Sequence, residues 1–124
     1  MITSINSQNA PAVVGPYSHS VATDSLVFLA GQIGIDMTTQ ELGVGIENQT
    51  RLALAHLEGV LISNGLTKNN VVKTTVFLAN MDDYVKMNEV YASFFDSHKP
   101  ARSTVQVAKL PKNALVEIEA IASR

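Results

Sequence analysis

Arg102 and Thr104 are separated by one residue, as are Glu117 and Glu119, and both pairs lie in segments whose apolar residues alternate. Successive side chains of a strand point to opposite faces, so each pair occupies one face of its strand. In residues 102–107, Ser103, Val105 and Val107 share one side while Arg102, Thr104 and Gln106 share the other. In residues 115–122, Val116, Ile118 and Ala120 oppose Glu117 and Glu119. If the two segments pair as an antiparallel hairpin, packing both valine-rich faces into one core gathers Arg102 and Thr104 beside Glu117 and Glu119. A slip of one residue would bury carboxylates without partners, which is costly.

A guanidinium holds a planar carboxylate through two parallel hydrogen bonds, and a carboxylate can accept a proton from water. Together they are the parts of a site where a small carboxylic acid undergoes water addition. The competing reading is a structural Arg–Glu pair at a subunit seam. Tyr17 follows Gly15 and Pro16 at a strand entrance, where it either lines a pocket with its hydroxyl or packs as an aromatic. Asn88 is next to Met87 on a helix, reaching either an interface or solvent. His19, His56 and His98 have no metal-ligand spacing, and the chain contains no phosphate loop or nucleotide fingerprint. No metal or cofactor is therefore expected. Tyr84, Tyr91, Phe94 and Phe95 read as helix packing, not as a base-stacking platform.

The elements that must position these residues follow from periodicity. Residues 17–23 and 26–30 read as strands joined by a polar turn, and residues 36–45 as a loop. Ile46, Ala53, Leu57, Val60 and Leu61 recur at helical spacing through residues 46–64, with Gly65 where the helix would end. Valine and threonine make residues 71–79 a strand. A second helix should begin within residues 80–83 and bury Tyr84, Met87, Tyr91, Phe94 and Phe95, with Pro100 beyond its end. Two strands, 102–107 and 115–122, follow with a bend at 109–113. The expected fold is α+β, one mixed sheet with two helices packed on one face, in a single domain over residues 1–124.

With 124 residues, 46% hydrophobic and 16% charged, the chain has enough apolar material for one core and little charge for so small a surface. Self-association would use that surplus. The net charge of −2 offers no general attraction to a polyanion. Four bases, Lys99, Arg102, Lys109 and Lys112, nevertheless stand between Asp96 and Glu117 without an acid, a local attractor for small anions. The absence of cysteine excludes disulfides and thiolate catalysis. No run approaches the length of a membrane span and the N-terminal residues do not read as a leader, so a cytoplasmic location is expected.

The chain resembles the Rid family of reactive-intermediate deaminases. The resemblance rests on Ala10-Pro-Ala with Gly15-Pro-Tyr-Ser, Gly31-Gln-Ile, Val72-Lys-Thr-Thr-Val-Phe and Asn88-Glu-Val-Tyr-Ala. Its densest part runs from Lys99-Pro-Ala-Arg-Ser through Val107-Ala-Lys-Leu-Pro-Lys to Val116-Glu-Ile-Glu-Ala-Ile. It implies a chorismate-mutase-like fold assembled as a homotrimer with clefts between subunits. It also implies metal-free hydrolysis of 2-imino acids, 2-iminobutanoate and 2-iminopropanoate, to 2-keto acids and ammonia.

On that basis Arg102 would bind the substrate carboxylate and Glu117 would act on water. Tyr17, Gly31, Asn88 and Thr104 would line the cleft, with Tyr17 and Asn88 supplied by a neighbouring subunit. Active members commonly carry cysteine two positions after the arginine. Thr104 can offer only a hydroxyl and a backbone N–H. The expected partners are two further copies of the chain and a small imino acid, with neither a membrane nor a nucleic acid among them. A non-catalytic trimeric ligand-binding or regulatory protein of the same fold, acting in translation or purine-gene control, is the alternative.

Overall fold

A computed structural model describes all residues from Met1 to Arg124. The main sheet has six strands, β1 (Thr3–Ile5), β2 (Ser20–Ala22), β3 (Leu26–Ile33), β6 (Val71–Leu78), β7 (Ala101–Gln106) and β8 (Val116–Ser123). They are ordered β1-β2-β3-β8-β6-β7. All neighbours are antiparallel except β6 and β7, which run parallel, so the sheet is mixed. Two short strands, β4 (Ile35–Asp36) and β5 (Glu41–Leu42), form a separate hairpin that overlaps the segment expected to be a loop. Helices α1 (Gly45–Ser63) and α2 (Tyr84–Phe95) pack on one face of the sheet and on each other.

The core forms where the two periodicities meet. Helix α1 contributes Ala53, Leu54, Leu57, Val60 and Leu61, and α2 contributes Met87, Tyr91 and Phe95. These cover Val27 and Leu29 of β3, Val76 and Leu78 of β6, and Val116, Ile118, Ala120 and Ala122 of β8. Tyr84 and Phe94 are only partly buried at the edge of this cluster. Helix α1 ends at Gly65, whose φ of 73° is a left-handed conformation that glycine adopts without steric cost. Asn80 accepts the Asp82 N–H at 2.9 Å and opens a short 3-10 turn that leads into α2.

The expected hairpin between the last two strands does not form. β8 is inserted between β3 and β6, whereas β7 lies at the sheet edge beside β6. The register sets Arg102 opposite Thr74 and Thr104 opposite Val76, residues whose side chains face the helices. Arg102 and Thr104 therefore share the helix side, and Val105, opposite Phe77, lies on the open side. An edge strand at the margin of the helical layer can turn polar groups inward, because α2 supplies polar partners there. Alternation in sequence divides a strand into two faces without saying which face is covered.

Gly34 and Gly59 fix how closely α1 approaches the rest of the chain. A Cβ on Gly34 would stand 2.4 Å from the Gln49 carbonyl oxygen, and one on Gly59 would stand 2.5 Å from that of Asn9. Both obstacles are backbone. Gly34→Ala or Gly59→Ala should each destabilise the protein by about 3 kcal/mol in urea unfolding, the upper range for overpacking. Gly45→Ala meets open space and should cost only the left-handed backbone strain, about 1 kcal/mol.

Candidate functional site

Two groups of polar side chains form, one on each face of the sheet. On the helix side, Arg102 Nη1 donates to Asn88 Oδ1 at 2.7 Å and Nη2 to the Tyr84 hydroxyl at 2.8 Å. The guanidinium carbon is 4.7 Å from the centroid of the Tyr91 ring and 5.6 Å from that of Tyr84, so the cation rests against two aromatic faces. Tyr91 is fixed in turn by a 2.7 Å hydrogen bond between its hydroxyl and that of Thr74. Burial raises the Tyr91 phenol above its ordinary value, opposed by Thr74 and by the Arg102 charge, so the ring stays neutral. A cavity of about 410 Å³ adjoins this cluster, lined in part by Asn88, Tyr91, Phe95, Lys99 and Arg102.

No carboxylate neutralises Arg102. The single ion pair within 4 Å joins the N-terminal ammonium to Asp24, both exposed. Thr104, two residues further along β7, has a buried hydroxyl without a hydrogen-bond partner. The Val107 N–H donates to the Leu78 carbonyl. Backbone N–H groups alternate sides along a strand, so those of Arg102 and Thr104 point to the free edge of the sheet.

The second group lies on the open side of β8. Glu117 pairs in register with Ile33 and Phe77. Between Leu29 and Gln32 the β3 ladder shifts by one residue, a bulge that carries Ala30 and Gly31 past the Glu117 side chain. A Cβ on Gly31 would stand 3.0 Å from the Glu117 carboxyl, so any larger residue there would press on that side chain. Glu117 is half-buried, and its carboxyl is held above the usual carboxylate range, first by burial and then by the charge of Glu119. It lines a cavity of about 190 Å³ together with Tyr17, Gly31, Gln40 and Lys112, among others.

The six residues singled out by sequence thus divide into two sets: Arg102, Asn88 and Thr104 in one, Tyr17, Gly31 and Glu117 in the other. The expected grouping of Arg102 with Glu117 on one side of a hairpin is overturned. Within one chain they occupy opposite faces, with β6 between their strands. Their residue rows are three positions apart, so the backbone offset is about 10 Å across the strands and about 10 Å along them. Tyr17 and Asn88 also part company, since Asn88 holds the Arg102 of its own chain and Tyr17 shares a cavity with Glu117.

Gln40 carries no signal in the sequence, Lys112 stands there only as one of four bases near the last strands, and Tyr84 only as a packing residue. Tyr84 precedes Asn88 by four residues on α2 and so shares its helix face, a spacing that the packing stripe had absorbed. His19, His56 and His98 each place Nε2 against a backbone carbonyl, of Pro11, Ile35 and Val71 respectively, in positions that organise loops and strand ends. No group of three or more His, Cys, Asp or Glu side chains is placed to hold a metal ion. No helix is long and apolar enough to cross a membrane.

Comparison with known proteins places this geometry in a family. The family model described as Endoribonuclease L-PSP matches residues 7–124. The chain belongs to the L-PSP, or Rid, family. It is 48% identical over 119 residues to a RutC family protein of Pyrococcus horikoshii, covering 95% of this chain and 94% of that one. It is 44% identical over 119 residues to the mouse 2-iminobutanoate/2-iminopropanoate deaminase, covering 95% and 88% of the two chains. The crystal structure of Escherichia coli TdcF with bound serine superposes with a TM-score of 0.94 at 42% identity, over 98% of each chain. The α+β architecture with a mixed sheet and two helices is that of the family.

The position of Glu117 has a consequence for stability. Because its folded pKa lies above the unfolded value near 4.5, the folded state binds this proton more tightly, and stability falls as pH rises through the interval between them. Glu117→Gln removes that loss. Thermal unfolding of Glu117→Gln and wild type should coincide near pH 3.5 and separate, with the variant more stable, by about pH 8. A variant less stable at pH 8 would contradict the assignment of burial as the cause.

Proposed function

We propose that this protein hydrolyses 2-imino acids to 2-keto acids and ammonia, in clefts formed between copies of a homotrimer. The observation that carries the reading is Arg102, a half-buried guanidinium held by neutral oxygens and aromatic faces, with no carboxylate of its own chain to satisfy its charge. A carboxylate ligand supplies what is missing. The relatives named as imino-acid deaminases support the substrate class, 2-iminobutanoate and 2-iminopropanoate.

A second copy is required because one chain keeps Arg102 and Glu117 on opposite faces. The open side of the sheet favours such an assembly. Phe28 and Val105 there are 44% and 43% exposed, and Phe77 and Ile121 are only partly covered. A cyclic arrangement brings the Arg102 edge of one copy to the Glu117 face of the next and repeats that contact around the ring. Thr104 then offers its edge N–H and its unpartnered hydroxyl beside Arg102, while Tyr17 and Gly31 border the water at Glu117.

In this arrangement Arg102 fixes the carboxylate and thereby the imine carbon. Water adds to the protonated imine as Glu117 removes one of its protons, giving a tetrahedral carbinolamine. The same proton is returned to the nitrogen. The C–N bond breaks with loss of ammonia, and the hydroxyl proton passes to the ionised Glu117 as the ketone forms, to leave with ammonia as ammonium. The raised proton affinity of Glu117 suits a group that must both take and return a proton. The hydrolysis balances with water alone as co-reactant.

Ammonia and keto-acid release from freshly generated 2-iminobutanoate, corrected for spontaneous decay, tests the reading. Arg102→Ala and Glu117→Gln should each lose at least about 100-fold in kcat/KM. An equimolar mixture of the two variants, dissociated and reassembled at random, should recover about a quarter of wild-type activity, because one interface in four then pairs two intact halves. Failure of the mixture to recover would rule out a site shared between copies. Retention of 2-oxobutanoate without faster ammonia release would identify a binding protein instead.

A further inference from the structure

We infer that Tyr84 is a positioning residue of the carboxylate site, directing the free donors of Arg102 toward the ligand. The inference rests on the proposed reading of Arg102 as the carboxylate clamp. A guanidinium has five N–H donors in a rigid plane. Asn88 Oδ1 takes one proton from Nη1 at 2.7 Å, and the Tyr84 hydroxyl takes one from Nη2 at 2.8 Å. The Nε proton and one proton on each Nη are left, enough for the two parallel bonds that a carboxylate accepts.

Two acceptors fix the plane where one would leave it free to turn. Asn88 alone would allow rotation about its single hydrogen bond, whereas Tyr84 and Asn88, one helical turn apart on α2, hold both ends of the fork. The Tyr91 face 4.7 Å from the guanidinium carbon restricts tilt, and Thr74 anchors that ring. Both hydrogen-bond acceptors are neutral. A carboxylate at either position would hold the plane equally well but would cancel the charge needed by the ligand. Phenylalanine at position 84 would keep the ring contact, at 5.6 Å from the guanidinium carbon, and remove only the oxygen.

Tyr84→Phe isolates that oxygen. In wild type, the Arg102 Nη1 and Nη2 nitrogens should give separate signals in side-chain ¹⁵N spectra, since hydrogen bonds at both ends block rotation of the group. In Tyr84→Phe the signals should merge, while thermal unfolding shifts little. KM for 2-iminobutanoate should rise about tenfold with kcat within about twofold, the pattern of lost binding that is common to ground and transition states. Calorimetric affinity for 2-oxobutanoate should fall by a similar factor. Asn88→Asp supplies the second arm: the Nη signals should stay separate while 2-oxobutanoate affinity falls at least tenfold, because the plane is held but its charge is cancelled.

Separate Nη signals and unchanged 2-oxobutanoate affinity in Tyr84→Phe would overturn the assignment, as would wild-type affinity in Asn88→Asp. If wild-type protein fails to accelerate ammonia release, the hydrolase reading falls by itself. The ¹⁵N spectra and the 2-oxobutanoate affinities still decide the role of Tyr84. Should Tyr84→Phe fail to fold, the hydroxyl is structural and the assignment is overturned as well.

Discussion

Strand β8 is paired along both edges, antiparallel to β3 on one side and to β6 on the other. Its inward residues Val116, Ile118, Ala120 and Ala122 are all buried. Shifting it by one residue would exchange those four for Glu117, Glu119, Ile121 and Ser123, and bring two carboxylates under the helices. The register is therefore held from both sides. With it is fixed the open-face position of Glu117, the bulge that brings Gly31 against its carboxyl, and the displacement of β7 to the edge.

That displacement gives the two charged groups different surroundings. Arg102, at the margin of the helical layer, reaches Asn88 and Tyr84 on α2. Glu117, in the middle of the sheet, is confined by strands on both sides and by the Gly31 bulge, and the charge of Glu119 adds to the penalty of ionisation. One place thus presents a cation with no carboxylate of its own chain, and the other a carboxylate with strengthened affinity for a proton. These are complementary needs on opposite faces of one sheet, which an assembly of identical chains can satisfy where a single chain cannot.

The polypeptide supplies rigidity at both places through short-range devices. The Tyr84–Asn88 spacing on α2 and the Thr74–Tyr91 hydrogen bond hold the guanidinium from behind. Around Glu117, His19 pins the segment before Tyr17 by accepting the Ser7 N–H at Nδ1 while its Nε2 lies 2.7 Å from the Pro11 carbonyl. Because Nδ1 accepts, the ring proton is on Nε2. The imidazole thus organises the loop beside the cavity that Glu117 lines.

Much of the fold was legible because burial writes itself into periodicity. The spacing of Ala53, Leu57, Val60 and Leu61 marked α1, Gly65 marked its end, and the alternation of Val116, Ile118 and Ala120 marked the inner face of β8. The strand Thr3–Ile5 escaped notice because it is short, largely exposed and without an apolar pattern. The strands β4 and β5, in and beside residues 36–45, escape because each is only two residues long, too short for an alternation to show. By itself the sequence determined which residues share a face of each strand or helix, since that depends on local backbone geometry and on the cost of burying charge. Only the tertiary structure decided which strand is the neighbour of which, and hence that Arg102 and Glu117 part company. Strand order is set by long-range packing of whole faces, and the alternation within a single strand is the same whichever partner lies beside it.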